Sequence, residues 1–191
     1  MAIVNHVFRI TGVSPLLQNN PAETLVDNDE GQIKAKKKKY NDADEAKMRT
    51  YKEGRNYVHP SAGFRAGILR AGVGRKIGKT AAKSVLAGAV FPIEEFVVLI
   101  DPKTGKPLKS YEIDKRPVVI GTSRILRCRP KFTPWACDLA MEIDEDFVSE
   151  ETVAEMLNIS GRICGLGDFR PDTSGGKNGC GTFGRYTAKV K

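Results

Sequence analysis

Near its C-terminal end the chain contains a dense cluster of glycines, with the sequence CGLGDFRP at residues 164–171 and, after a spacer, GTFGRY at residues 181–186. Glycine costs backbone entropy, so such a cluster predicts left-handed backbone angles or the close approach of another molecule to the main chain. Arg170, Lys177 and Arg185 add positive charge beside these glycines. The combination predicts a surface for a phosphate backbone. The alternative is a solvent-exposed turn with ordinary basic residues.

The composition predicts one domain with a polyanionic partner. The chain has 191 residues, of which 40% are hydrophobic, so it can bury one substantial core. We expect a single domain over residues 1–191 with a polar insertion at about residues 19–56. The 31 Lys and Arg residues against 23 Asp and Glu residues give a formal net charge of +8. This excess of positive charge favours a polyanionic partner such as a nucleic acid.

The sequence predicts no membrane association, no metal site and no cofactor. No apolar run reaches the roughly 18 residues that a membrane helix needs, and the first residues do not form a signal peptide. The four cysteines are far apart in the sequence, which predicts reduced thiols rather than a disulfide framework or a zinc site. His6 and His59 are the only histidines, so a histidine-based metal site is not expected either.

A first strand is predicted at residues 3–13, where apolar and polar residues alternate, and the polar insertion follows it. The insertion is predicted not to pack in the core. Within it, a short helix is predicted at residues 42–49, whose acidic start and basic end suit the helix dipole. Its basic run is either a solvated charge run or an electrostatic arm along a nucleic acid. We favour the arm, because tyrosines that can stack on bases follow it. The run comprises Lys36, Lys37, Lys38 and Lys39, and the tyrosines are Tyr40, Tyr51 and Tyr57.

A second helix is predicted to begin at Pro60 or Ser61. The apolar residues at positions 64, 68 and 69 recur at helical spacing and form its buried stripe, and Arg65 and Arg70 lie elsewhere on its surface. The helix also contains glycines at positions 63 and 67, which are poor helix formers. They predict that something packs very close to this face or that the backbone is presented to a ligand.

The segment GVGRKIGKT at residues 72–80 partly matches the phosphate-binding loop of nucleotide hydrolases. Its spacing is wrong, because that motif requires glycine at the position of Val73, and it follows a predicted helix instead of a buried strand. We therefore interpret Arg75, Lys76 and Lys79 as a basic patch on a loop and on a helix that ends near Ala89. Nucleotide hydrolysis is not expected.

Further strands and one long helix are predicted in the second half of the chain. The segment at residues 91–101 is apolar and β-branched, and residues 135–143 alternate most clearly. Between them, Arg124, Arg127 and Arg129 form a dense cationic edge if the segment is extended. Ser149 is predicted to cap a helix that leads into the glycine cluster, with Ile163 as a further residue of its buried side, and residues 185–190 to form the last strand.

The order of these elements resembles the RAMP superfamily of CRISPR RNA-binding proteins, particularly the backbone subunits that polymerise along guide RNA. The similarity is carried by two short motifs, the helix entry at residues 60–70 and the glycine-rich loop with Gly165, Gly167, Arg170, Gly181 and Gly184. The chain is shorter than most backbone subunits and its glycine-rich loop is longer. The ending also resembles small phage-encoded proteins.

The resemblance implies an α+β fold with a modified ferredoxin-like core, similar to an RNA-recognition motif. Such a core has an antiparallel sheet, two main helices and a C-terminal glycine-rich loop between the last helix and the last strand. It also implies a protein of the cytoplasm of a prokaryotic or phage-infected cell, which binds RNA and forms homo-oligomers along the strand or joins a multi-subunit ribonucleoprotein.

The leading functional hypothesis is a non-catalytic protein that binds single-stranded RNA, or less favourably DNA, through its backbone. One alternative is a metal-independent endoribonuclease with His59 as the general acid or base. Another is a phage protein-interaction module or a recombination factor that acts on single-stranded DNA. The predicted nucleic-acid-binding residues are Lys36, Lys37, Lys38, Lys39, Arg65, Arg70, Arg75, Lys76, Lys79, Arg124, Arg127, Arg129, Gly165, Gly167, Arg170 and Arg185.

Overall fold

A computed structural model of the protein describes residues 2–21, 41–120, 123–171 and 181–191. These residues form four helices and twelve strands. The strands are β1 (Ile3–Gly12), β2 (Leu16–Leu17), β3 (Lys52–Glu53), β4 (Asn56–Pro60), β5 (Lys76–Ile77), β6 (Thr80–Ala81), β7 (Val90–Pro92), β8 (Phe96–Val98), β9 (Glu112–Ile120), β10 (Ser123–Phe132), β11 (Ala136–Asp144) and β12 (Tyr186–Val190). The helices are α1 (Asp42–Met48), α2 (Ala62–Ala71), α3 (Ala82–Ala89) and α4 (Glu150–Ile163).

The largest sheet has four antiparallel strands in the order β12-β1-β11-β7. Phe8 and Ile10 of β1 and the alternating residues of β11 from Cys137 to Ile143 are buried on one side, as their alternation predicts. Phe64 and Ile68 of α2 and Val153, Met156 and Leu157 of α4 belong to the same hydrophobic cluster. The predicted α+β class with antiparallel strands is therefore confirmed, and both main helices pack on this sheet.

The helix α2 begins where the sequence predicts. Ser61 is its N-cap residue, and Phe64 and Ile68 are fully buried. The predicted close approach occurs at Gly67, where a Cβ atom would lie 2.2 Å from Ser160 Oγ of α4. Glycine at this position therefore lets the two main helices pack closely.

The helix α4 has the predicted N-cap, because the Ser149 side chain accepts a hydrogen bond from the Thr152 N–H. Val153 and Leu157 are buried as expected. The prediction that Ile163 is buried is wrong, since this side chain is 42% exposed at the last helical residue. The glycine-rich loop begins there, and its Cys164 and Leu166 are buried again.

A second layer is formed by the long β9–β10 hairpin, which pairs with β2 and is covered by α1. The prediction that the insertion does not pack is wrong for its second part. Ala46 is fully buried, and Glu45 binds the hairpin by accepting a hydrogen bond from the Cys128 N–H at 3.2 Å. Tyr57, expected to be available for stacking, is also buried. Polar residues can pack here because ion pairs and hydrogen bonds satisfy their polar groups.

The strand predicted at residues 91–101 is divided into two strands that belong to different sheets. β7 pairs with β11 in the main sheet, whereas β8 pairs with β4. Ser61, between β4 and α2, donates hydrogen bonds to the carbonyls of Glu94 and Glu95 in the bend between β7 and β8. Within the described ranges, no helix is long and apolar enough to cross a membrane.

Candidate nucleic-acid interface

The glycine-rich loop lies against the core and against the residues that precede the last strand. Gly165 and Gly167 have positive φ angles of 64° and 69°. A Cβ atom on Gly167 would lie 2.1 Å from the Leu17 carbonyl oxygen. These glycines are therefore required by the close approach of the protein's own main chain. A further role in contacting phosphate stays a prediction.

The two glycine-rich stretches are hydrogen-bonded to each other. The Leu166 N–H donates to the Gly184 carbonyl at 2.9 Å, and the Phe183 N–H donates to the Phe169 carbonyl at 3.1 Å. The spacer at residues 172–180, with Lys177, lies outside the described residues. Residues 164–171 and 181–186 thus form one unit that joins α4 to β12.

A cleft lies between α2 and the glycine-rich loop, and we call it the α2–loop cleft. It consists of two cavities, of about 310 and 220 Å³, that share Gly63, Gly167 and Arg170 in their walls. The smaller cavity, here called the Arg70 chamber, also has Arg70 in its wall. The larger cavity is the His59 chamber, and its remaining lining residues are Asn19, Tyr51, His59, Pro60 and Asp168.

Arg170 is the predicted site residue that lies most directly in this cleft. Its side chain is exposed, and Nη1 donates a hydrogen bond to the Gly167 carbonyl at 3.0 Å. That acceptor is neutral, so the contact orients the guanidinium group without cancelling its charge. Arg70 is exposed in the last turn of α2 on the opposite wall. Two arginines far apart in the sequence therefore face one cleft.

His59 lies at the base of the His59 chamber, in β4. It is only 6% exposed, and its Nδ1 atom has no hydrogen-bond partner among the described residues. The ring has edge-to-face contacts with Tyr51 and Phe64, at centroid distances of 6.1 and 6.3 Å. Burial, with a smaller contribution from Arg170, lowers the pKa of His59 from 6.5 to about 4. The imidazole is therefore neutral near pH 7.

Tyr51 is held at the chamber by Gln18, a residue to which the sequence analysis assigned no role. Gln18 is fully buried, accepts a hydrogen bond from the Tyr51 N–H at 2.9 Å and donates one to the Val58 carbonyl at 2.6 Å. Burial raises the pKa of the Tyr51 phenol. The main chain of Tyr51 is thereby fixed at the wall of the chamber.

An ion pair between the buried Arg129 and the partly exposed Asp168 connects the β9–β10 hairpin to the glycine-rich loop. Arg129 Nε lies 2.7 Å from Asp168 Oδ2, although the angle does not make a hydrogen bond, and the arginine side chain is 7% exposed. Phe169, which has a φ of 53°, lies between the guanidinium groups of Arg129 and Arg116. Arg129, predicted to lie on a cationic edge, is instead an interior contact.

Several other predicted arginines also contact the protein itself. Arg65 donates hydrogen bonds to the carbonyls of Ala87 and Val90 at 2.8 and 3.1 Å, at the end of α3. Arg75 donates to the Ala71 carbonyl at 2.9 Å, and Arg127 forms an ion pair with Glu45 at 3.2 Å. Arg65 and Arg75 therefore bind the main chain where helices end.

The remaining predicted residues are distributed over the surface. Lys76 and Lys79 are exposed on the small β5–β6 hairpin, Arg124 is exposed on β10, and Arg185 is exposed before β12. The basic residues Lys36, Lys37, Lys38 and Lys39, and also Tyr40, lie outside the described residues. The structure thus brings together Arg70, Gly165, Gly167 and Arg170 from the predicted set, with His59 beside them.

Sequence reasoning missed Asn19 and Asp168 as parts of the site. Asp168 lies inside the quoted glycine-rich motif, and an acidic residue between Gly167 and Phe169 is a signal that could have been used. Asn19 had no comparable signal, because its position depends on the folding of the polar insertion. Among the described residues, no group of three or more His, Cys, Asp or Glu residues is placed to hold a metal ion.

Comparisons with known proteins leave the family open. No protein-family model matches the sequence, and a search of curated proteins finds no similar one.

Proposed function

We propose that this protein is a non-catalytic single-stranded nucleic-acid-binding protein, with RNA preferred, that binds phosphates in the α2–loop cleft. The observation that carries the proposal is the meeting of the two motifs of the RAMP resemblance at one cleft. Arg70 comes from the helix motif and Arg170 from the glycine-rich motif, and both line the same 220 Å³ cavity. Charged groups that converge from distant parts of a chain are typical of a binding site.

The topology supports a ferredoxin-like core. β1, α2, β7, β11, α4 and β12 follow one another in the order βαββαβ, and the first and third of these strands are central in the antiparallel sheet. The glycine-rich loop lies between the last helix and the last strand, as the RAMP resemblance implies. The protein would then belong to this superfamily or to a stand-alone phage relative, and act in the cytoplasm.

Binding rests mainly on charge. Arg70 and Arg170 neutralise phosphates in the cleft, and the exposed Lys76, Lys79 and Arg185 add positive charge elsewhere on the surface. Phosphate contacts do not depend on base sequence, so one copy can bind anywhere on a strand and further copies can bind beside it. The formal net charge of +8 adds long-range attraction.

The experiment is a titration of a fluorescently labelled single-stranded RNA with the purified, nuclease-treated protein at several salt concentrations, with the same sequence as DNA in parallel. We expect the logarithm of the affinity to fall linearly with the logarithm of the salt concentration, and Arg170→Gln to reduce that slope by about one. The exposed Lys106→Gln, in the turn that follows β8, is the matched control. Failure of the parent protein to bind either strand, or binding that does not change with salt, contradicts the proposal.

Endoribonuclease activity is the second candidate, because His59 lies in the wall of the same cleft. Its lowered pKa leaves it neutral near pH 7, which suits a general base better than a general acid. Incubation of end-labelled RNA with the parent and with His59→Ala separates the two functions. Cleavage by the parent that the substitution abolishes would make the protein an enzyme. Intact RNA with both proteins supports the non-catalytic proposal.

A further inference from the structure

We propose that the His59 chamber holds one nucleobase of the bound strand, turned out of the stack of its neighbours. This inference rests on the proposed nucleic-acid-binding function and adds to it the part of the strand that enters the larger cavity. It also departs from purely backbone-directed binding, because a base in a fitted cavity contributes to affinity.

The size and walls of the chamber fit a flat heterocycle. Its volume of about 310 Å³ lies at the small end of the range for small-molecule sites. The ring of Tyr51 and the apolar Pro60 offer stacking surfaces, and His59, Asn19 and Asp168 offer hydrogen-bonding groups. Single-stranded nucleic acids are recognised by this combination of aromatic stacking and polar contacts to base edges.

The buried histidine is a fixed part of the chamber wall. His59 is 6% exposed, and its Nδ1 atom is buried without a hydrogen-bond partner among the described residues. β4 pairs His59 with Val97 of β8, and Tyr51 and Phe64 have edge-to-face contacts with its ring. The ring is therefore held in one orientation. Its other nitrogen, Nε2, lies 3.6 Å from the position of a Cβ atom on Gly63, which also lines the chamber.

The distribution of charge indicates which part of a nucleotide occupies each chamber. Arg70 lines only the smaller chamber, whereas the larger one has the neutral His59 and the carboxylate of Asp168 in its wall. The Asp168 carboxylate is paired with Arg129, so the number of arginines decides, and a phosphate is attracted more strongly to the smaller chamber, which has two of them. Arg170 lies in the walls of both chambers, where phosphate and base of one nucleotide meet. The phosphate thus fits the Arg70 chamber and the base fits the His59 chamber.

The test compares two single strands of equal length, one with ordinary bases and one in which every base is replaced by hydrogen. Both carry the same phosphates, so the ratio of their affinities measures the contribution of bases. We expect the parent protein to bind the ordinary strand roughly 5- to 100-fold more tightly than the abasic strand, the range measured for the stacking of one base. RNA and DNA versions of both strands are measured.

Two variants test whether the contribution of the bases to affinity comes from the His59 chamber. Tyr51→Ala removes one stacking wall, and His59→Phe keeps the ring and removes its nitrogens. In both we expect the ratio to fall by at least about threefold, while the affinity for the abasic strand stays that of the parent. This unchanged affinity also shows that the variant is folded. Arg70→Gln, which changes only the smaller chamber, is the control, and it should weaken binding to both strands by the same factor.

The outcomes separate the two proposals. If the parent binds neither strand, the proposed function fails. If it binds both strands equally, or if both folded variants keep the ratio of the parent, the base chamber is wrong and the phosphate-binding function stands. If either variant loses its affinity for the abasic strand together with its thermal unfolding transition, the other variant decides.

Discussion

Two regions of this protein look alike in the sequence and differ in the structure. The α2–loop cleft and the β9–β10 hairpin were both predicted to be cationic. In the hairpin, ion pairs join Arg127 to Glu45 and Arg129 to Asp168. In the cleft, Arg170 contacts a neutral carbonyl and keeps its charge available. A cluster of arginines in a sequence therefore becomes a cationic surface only where the fold does not pair those arginines with carboxylates.

Further ion pairs of the β9–β10 hairpin explain why its basic residues do not form a cationic surface. Three further ion pairs involve residues of β9 and β10, namely Lys115 with Asp42, Arg116 with Asp114 and Lys131 with Glu112. Exposed pairs of this kind contribute little to stability. The pair between Arg129 and Asp168 is different, because the arginine is buried and the two residues connect separate layers.

The largest expected effect comes from breaking that buried pair. Arg129→Gln leaves the Asp168 carboxylate, which is 30% exposed, without its partner, so we expect the free energy of unfolding to fall by about 3 kcal/mol, the lower end of the range for buried pairs, in urea denaturation. The exposed Arg124→Gln on the same strand is the control and should change it by less than about 0.5 kcal/mol. Adding Asp168→Asn to Arg129→Gln should restore part of the lost free energy of unfolding. If the Arg129→Gln protein is as stable as the parent, Arg129 is not an interior contact and is again a candidate residue of the binding surface.

The next effect concerns His59 and pH. Its pKa is lowered in the folded state, so between pH 6.5 and about 4 the unfolded chain binds a proton that the folded chain does not. The stability contribution is therefore present above the unfolded pKa and is lost as pH falls through this window, by roughly 3 kcal/mol in total. Urea denaturation from about pH 7 to about pH 4 should show a steeper loss for the parent than for His59→Phe. Parallel curves would mean that His59 is not buried.

A smaller effect on stability separates two costs of replacing a glycine, namely a steric clash of the added Cβ atom and a strained φ angle. Gly167→Ala combines a positive φ with a clash against the Leu17 carbonyl, so we expect a loss of about 2 kcal/mol or more. Gly74 has a similar φ of 74° but no atom within 4 Å of an added Cβ. Gly74→Ala should therefore cost about 1 kcal/mol, from strain alone. Equal losses in thermal denaturation would mean that the loop does not pack against β2.

The sequence was most informative where a single physical rule decides the structure. Alternation predicted β11 and its buried face, the Ser149 cap predicted the start of α4, and Gly67 predicted close helix packing. These features depend on neighbours in the sequence or on one local requirement. The two motifs that carry the resemblance to the RAMP superfamily are also the two that form the cleft.

Long-range pairing was what the sequence could not predict. Nothing near Arg129 or Arg127 shows that Asp168 and Glu45 will neutralise them, because these partners come from other elements. The packing of the insertion depends on the same contacts, since Glu45 binds the Cys128 N–H as well. The His59 chamber was missed for a related reason, as Asn19, Tyr51 and Asp168 meet only in the folded chain.

One measurement tests most directly whether the cleft, and not the hairpin, is the nucleic-acid interface. Two double variants remove the same positive charge, Arg70→Gln with Arg170→Gln in the cleft and Arg124→Gln with Arg127→Gln in the hairpin. In titrations of labelled single-stranded RNA at one salt concentration, we expect the cleft variant to lose at least about tenfold in affinity and the hairpin variant less than about threefold. Equal losses, or a larger loss in the hairpin variant, would contradict this account.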